Sequence, residues 1–190
     1  MKTLSQLFEK IVPLKDRKVF WWAVLSALLL FGLDMWTKYA VVKNISYQQR
    51  IPVISGFFDL THVRNFGAAW GILSGRGGLL LLFSALVFCC AILFMQKLTE
   101  GWKERYFAIL LVMSGILGNS ADRIFRGSVV DFLHFYIQWN DKIYAWPSFN
   151  VADCCICTGA FLFMISTLCR PERKKPECAA TETKPAQNNE

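Results

Sequence analysis

Asp131, in Val129-Val130-Asp131-Phe132-Leu133, and Asp153, in Asn150-Val151-Ala152-Asp153, have no Lys or Arg within four residues. Local pairing cannot explain them, and an unpaired carboxylate in apolar surroundings is by default a functional group. Two carboxylates that meet in a low-dielectric pocket cannot both ionise easily, so one keeps a proton. The ionised member can then take a proton from a water attacking an amide carbon. The protonated member meanwhile hydrogen-bonds the carbonyl oxygen and stabilises its developing charge. Such a pair titrates as a unit.

The remaining intramembrane charges have a plainer reading. Asp34 and Lys38 lie at four-residue spacing on one helical face and can pair, and Asp122 has Arg123 or Arg126 within reach. As pairs they orient helices and need not react. Other hydrolytic chemistries lack their residues. His62 and His134 are the only histidines and no His-Glu-x-x-His occurs, so zinc proteolysis is not expected. Ser114-Gly115 lacks the leading glycine of a Gly-x-Ser-Gly pattern. Cys154 and Cys157 form a Cys-x-x-Cys without a second pair, so no metal site is expected, and the seven cysteines read mainly as packing residues. Asn65-Phe66-Gly67 reads as a turn, and no Gly-rich phosphate loop occurs.

The elements that carry these residues are apolar. Of 190 residues 54% are hydrophobic and only 18% charged, which excludes a disordered chain and argues against an ordinary soluble domain. The net charge of +7 gathers in polar ends and does not imply nucleic acid. Four apolar stretches are candidate spans: Val19 to Leu33 continuing to about Val42, Leu79 to Met95, Tyr106 to Gly118, and Val151 to Cys169. The third is short, so its polar end, Asn119 to Arg123, must enter or border the membrane. Leu4, Leu7, Phe8 and Ile11 predict a short interfacial helix. The division expected is an interfacial segment over 1–18, a four-span domain over 19–169 and a disordered tail over 170–190.

Lys2, Lys10, Lys15, Arg17 and Lys18 precede span one; Lys97, Lys103 and Arg105 link spans two and three; Arg170, Arg173, Lys174, Lys175 and Lys184 follow span four. Placing all three segments in the cytoplasm leaves residues 43–78 and 119–150 on the outer face. Asp34, fifteen residues into span one, then lies about 22 Å along the helix, in its outer third. Asn119, Asp122 and Arg123 end span three at that level, and Asn150 and Asp153 begin span four there. Ile51 to Ile54, Ser55-Gly56 and Phe57 to Val63 predict a small hairpin or sheet beside them.

Four segments stand out together: Asp34-Met35-Trp36-Thr37-Lys38; Arg64-Asn65-Phe66-Gly67-Ala68-Ala69-Trp70-Gly71; Gly118-Asn119-Ser120-Ala121-Asp122-Arg123 continuing through Gly127-Ser128-Val129-Val130-Asp131-Phe132; and Phe149-Asn150-Val151-Ala152-Asp153. Together they resemble one family, the prolipoprotein signal peptidases or signal peptidase II, which are bacterial intramembrane aspartic proteases. The order of the four segments covers the chain from span one to span four. The resemblance implies a mainly α, polytopic membrane protein with four transmembrane helices and a small extracytoplasmic β-rich cradle around Ile51 to Val63. It implies Asp131 and Asp153 as catalytic residues, with Asp34, Lys38, Asn65, Asn119, Arg123 and Asn150 orienting the dyad or holding substrate. Part of the second outer segment, around Phe135 to Trp146, would be a flexible lid. The implied substrate is a diacylglyceryl-modified prolipoprotein cut before its lipidated cysteine in the bacterial inner membrane. Membrane lipids are the expected surroundings, with no metal, organic cofactor, nucleic acid or obligate protein partner. One departure is Gly115-Ile116-Leu117-Gly118, where larger residues precede Gly-Asn than the family usually carries.

Two rival readings use the same charges. A proton-coupled transporter would relay protons through Asp131 and Asp153, but it predicts midplane groups and internal repeats, neither of which is visible in the chain. An assembly protein would use the charges as helix glue and tolerate Asp131→Asn.

Overall fold

In a computed structural model of the chain, residues 11–12, 16–67, 73 and 75–170 are described. The expected interfacial helix lies outside them except for Ile11, as does the tail beyond Arg170. The first span forms α1 (Arg17–Asn44), which at 1.5 Å per residue is about 42 Å long and outreaches the hydrocarbon layer. The second forms α2 (Gly77–Leu93), followed after a break at Phe94 by the short α3 (Met95–Thr99). Glu100 and Gly101, both at positive φ, turn the chain into α4 (Lys103–Arg126). The fourth span is α5 (Val151–Cys169), as the hydropathy predicts.

Helices α1, α4 and α5 are long and apolar enough to cross a membrane, while α2 is a shorter apolar helix. The expected four helices are therefore present as three full spans and one short one. Their exposed faces carry Leu28, Leu29, Phe83, Leu86, Phe161 and Leu168, the composition of a surface turned to lipid. The polar end of the third span does not leave the helix. Asn119 to Arg126 continue α4 by two turns, and Gly127 at φ 74° closes it in the left-handed cap that glycine favours.

Close packing of α4 on α5 depends on small residues. A Cβ at Gly159 would lie 2.6 Å from the Ala108 carbonyl oxygen and 2.8 Å from Val112 Cγ2. At Gly115 it would run into the Ala152 carbonyl oxygen, and at Gly118 into the Asp34 carboxylate. These contacts let the helix backbones approach closely enough for α4 side chains to reach the start of α5. Ile116 is half-buried and Leu117 exposed, so the larger residues of the departure point away from this contact. Gly115→Ala is expected to cost about 1–3 kcal/mol, because a backbone carbonyl cannot yield as a side chain can. Thermal unfolding in detergent checks this, with Gly32→Ala as control: a Cβ there meets open space, and the midpoint does not fall.

Outside the helices, β1 (Arg50–Ile54), β2 (Phe58–Asn65), β3 (Val129–Trp139) and β4 (Lys142–Ala145) form an antiparallel sheet in that order. The β1–β2 hairpin is the one predicted, turning at Gly56 with φ 79°. The segment expected as a lid, Phe135 to Trp146, holds the outer half of β3 and all of β4, paired from Tyr136↔Ala145 to Trp139↔Lys142. Asn140 and Asp141, at φ 48° and 60°, supply the turn, which suits the twist of a tight hairpin. The inner end of β3, Val129 to Phe132, is buried; Val130 and Phe132 pack with Val41 of α1 and Ile45 just beyond its end.

Candidate active site

The β2–β3 register sets Asn65 opposite Val129 and Val63 opposite Asp131, so Asn65 and Asp131 are diagonal neighbours on one face. Asn65 Nδ2 donates to Asp131 Oδ2 at 3.1 Å, while its own Oδ1 accepts from the Gly67 amide at 2.9 Å, the turn expected there. Asp153 arrives from the first turn of α5. Asn150 caps that helix: its Oδ1 accepts from the Asp153 amide at 3.0 Å, and Asp153 Oδ2 accepts from the Asn150 amide at 3.1 Å. This reciprocal box satisfies amides that a helix start leaves open. Asn150 Nδ2 then donates to Asp131 Oδ1 at 2.7 Å. One buried asparagine therefore contacts both carboxylates.

Asn119, on the polar extension of α4, donates to Asp153 Oδ1 at 2.8 Å and accepts from Lys38 Nζ at 3.1 Å. Lys38 is fully buried and also meets Asp34 Oδ2 at 2.8 Å and Asp122 Oδ2 at 3.2 Å, so its three donors have three acceptors. The two carboxylates flanking Lys38 hold backbone beside the dyad. Asp34 Oδ1 accepts from the Ala152 amide at 2.8 Å, and Asp122 Oδ2 accepts from the Val130 amide at 3.1 Å. Asp122 pairs with Arg126, the second of its two expected partners. Arg123 turns elsewhere, donating to the Gly67 carbonyl at 2.8 Å and the Asn119 carbonyl at 3.3 Å.

All eight residues singled out from the sequence thus join one hydrogen-bonded network drawn from α1, β2, α4, β3 and α5. Asp122 belongs to it as well, although its spacing suggested only a structural pair. Its signal was the three-residue step from Asn119 to Asp122, which sets both near one helix face. Lys38, Arg123 and Arg126 balance Asp34, Asp122 and one further carboxylate, so the cluster is neutral when the dyad keeps a single proton. Ser114 donates to the Ala27 carbonyl at 2.8 Å, serving helix packing. Among the described residues no group of His, Cys, Asp or Glu could hold a metal ion.

The family described as signal peptidase (SPase) II matches residues 26–169, which include every member of this network. The chain belongs to the signal peptidase II family. A lipoprotein signal peptidase of Bacillus subtilis is 39% identical over 151 residues, 80% of this chain and 96% of that protein. One from Halalkalibacterium halodurans is 39% identical over 150 residues, 78% and 92% of the two chains. A solved bacterial membrane enzyme, determined in meso at 2.3 Å, superposes with a TM-score of 0.71 at 32% identity, covering 82% of this chain and 92% of that one. A second, at 1.9 Å, gives 0.67 at 33% identity over 77% and 92%.

In this signal peptidase II chain Asp131 is the carboxylate whose environment sets a titration. Burial, then the nearby Asp153 charge, pushes its pKa up to about 7, against the opposing bonds from Asn65 and Asn150 and the Lys38 charge. Asp131 therefore keeps its proton below about pH 7 and loses it above, and if the pair works as the sequence leads one to expect, activity is predicted to fall as pH rises through neutrality. Because the Asn65 bond favours the charged form, Asn65→Ala moves that alkaline limb to higher pH. A pH–rate profile of both proteins checks the direction.

Proposed function

We propose that the chain is an intramembrane aspartic endopeptidase that removes the signal peptide from diacylglyceryl-modified bacterial prolipoproteins, cutting before the lipidated cysteine. The observation that carries this reading is Asn150 bonded to both Asp131 and Asp153, which are otherwise held by amides rather than by cations. Water is the nucleophile. The ionised carboxylate accepts its proton as the oxygen attacks the scissile carbon, and the protonated one donates a hydrogen bond to the carbonyl oxygen. When the tetrahedral intermediate collapses, the C–N bond breaks and a dyad proton passes to the leaving amine. Arg123, Asn65 and Asn119 line this position and serve to hold substrate main chain, while Asp34, Lys38 and Asn150 keep the dyad oriented.

The basic segments favour both termini in the cytoplasm of a bacterial inner membrane, which places the dyad near the extracytoplasmic face. A precursor anchored by its lipid would then present its scissile bond at the right depth. The division into 1–18, 19–169 and 170–190 belongs to the same proposal.

Purified protein reconstituted with a diacylglyceryl-modified precursor is expected to shift it to the mature size. Mass spectrometry of the product places the new amino terminus at the lipidated cysteine. A precursor left intact by folded protein, or cut elsewhere, overturns the assignment.

A further inference from the structure

A cavity of about 780 Å³ opens between α2, α3, α4 and α5, and none of the network residues lines it. Its wall is apolar, formed by residues such as Leu86, Phe94, Val112, Ile116 and Phe163. Helix α2 touches the bundle along one line only, through Phe88, Ala91 and Ile92, and the gap opens beside that line. No α2 side chain is buried, and Cys90 and Ala91 meet small residues, Ala108 and Ala160, across the space. Water fills such a space poorly, since it needs two to four polar partners. An empty gap forfeits dispersion contacts along its whole lining. A hydrocarbon chain supplies them.

The end of the cavity remote from Asp131 and Asp153 is polar and carries Lys97, Glu100 and Arg105. Arg105 is buried and committed: its guanidinium reaches Ser166 Oγ at 3.1 Å and Glu100 at 2.8 Å, so Glu100 balances its charge. Lys97 is exposed and forms no ion pair among the described residues. The mouth therefore has one uncompensated positive charge above an apolar slot. We propose that this cavity is a lipid site, taking an acyl chain of an anionic phospholipid with its phosphate against Lys97. In the orientation favoured above, the lipid comes from the cytoplasmic leaflet, where anionic headgroups attract juxtamembrane lysines.

The experiment is native mass spectrometry of the full chain in non-ionic detergent with equimolar phosphatidylglycerol and phosphatidylcholine. Wild type is expected to retain one phosphatidylglycerol in preference by about five-fold, the effect of one lysine at an anionic headgroup. Lys97→Gln equalises the two lipids. Ala160→Trp, at an exposed position, fills the slot and removes both. Unchanged thermal midpoints show that each variant is folded. No retained lipid, equal retention by wild type, or a Lys97→Gln protein that keeps the preference overturns the proposal. So does an Ala160→Trp protein that keeps its lipid but needs several-fold more precursor, which assigns the slot to the signal peptide. The binding readout does not depend on hydrolysis, so it stands or falls apart from the peptidase reading.

Discussion

Asp131→Asn and Asp153→Asn are each expected to lower precursor cleavage by about 10⁴-fold, the upper end of what positioned acid–base groups contribute. In the proposed mechanism each substitution removes a group that exchanges a proton during turnover. Neither can be rescued by reorienting its neighbours. Asn65 and Asn150 both point amide donors at Asp131, and each is pinned by a backbone amide bonded to its oxygen. Asn119 likewise cannot flip, since its oxygen accepts from Lys38. An amide at 131 or 153 therefore meets one donor with a donor, so thermal midpoints must accompany the kinetics. The double variant should lose little more than either single one, because groups that act as a unit are not additive. A folded single variant with near-normal cleavage would remove the dyad from the mechanism.

Lys38→Met is expected to destabilise the protein by about 3–5 kcal/mol, the range for removing one member of a buried ion pair. The loss is large because two buried carboxylates, Asp34 and Asp122, share that lysine. Their bonds to the Ala152 and Val130 amides should loosen with it, one residue from Asp153 and from Asp131. Cleavage should then fall further than the unfolded fraction explains. The contrasting case is Arg170→Gln, which breaks the half-exposed pair with Glu104 at 3.2 Å and should cost no more than about 1 kcal/mol. Thermal unfolding of the two variants under one detergent condition decides the matter. Equal midpoints would mean that Lys38 bears no such burden.

Much of this arrangement was legible before any coordinates. Hydropathy located three of the four helices to within a few residues and stopped eight residues short of the end of α4, where its polar extension begins; positive charge located the polar linkers. Depth along the spans brought Asp34, Asn119, Asn150 and Asp153 to one level, where the network lies. The Asp34–Lys38 pair followed from four-residue spacing. What periodicity cannot tell is which neighbouring helix a face meets, so the contact of Lys38 with Asp122 was hidden. Strand β3 was hidden for a different reason. Val129 to Phe132 is buried throughout and does not alternate, and its partner β2 is more than sixty residues away in the chain. The resemblance implied a lid over Phe135 to Trp146 and gave no sign that this stretch extends the sheet as β3 and β4.

Each charged pair of the network lies first within a single helix: Asp34 with Lys38 in α1, and Asp122 with Arg126 in α4. During insertion into the bilayer α1 emerges long before α4 exists, and an isolated Asp or Lys at its depth would hinder entry. Spaced one turn apart, the two screen each other from the first moment, and α4 arrives with its own neutral pair. Only when the helices meet does Lys38 acquire its second carboxylate. Asp153, on α5, is made after every other member of the network and completes the cluster, so no product shorter than that helix carries the site.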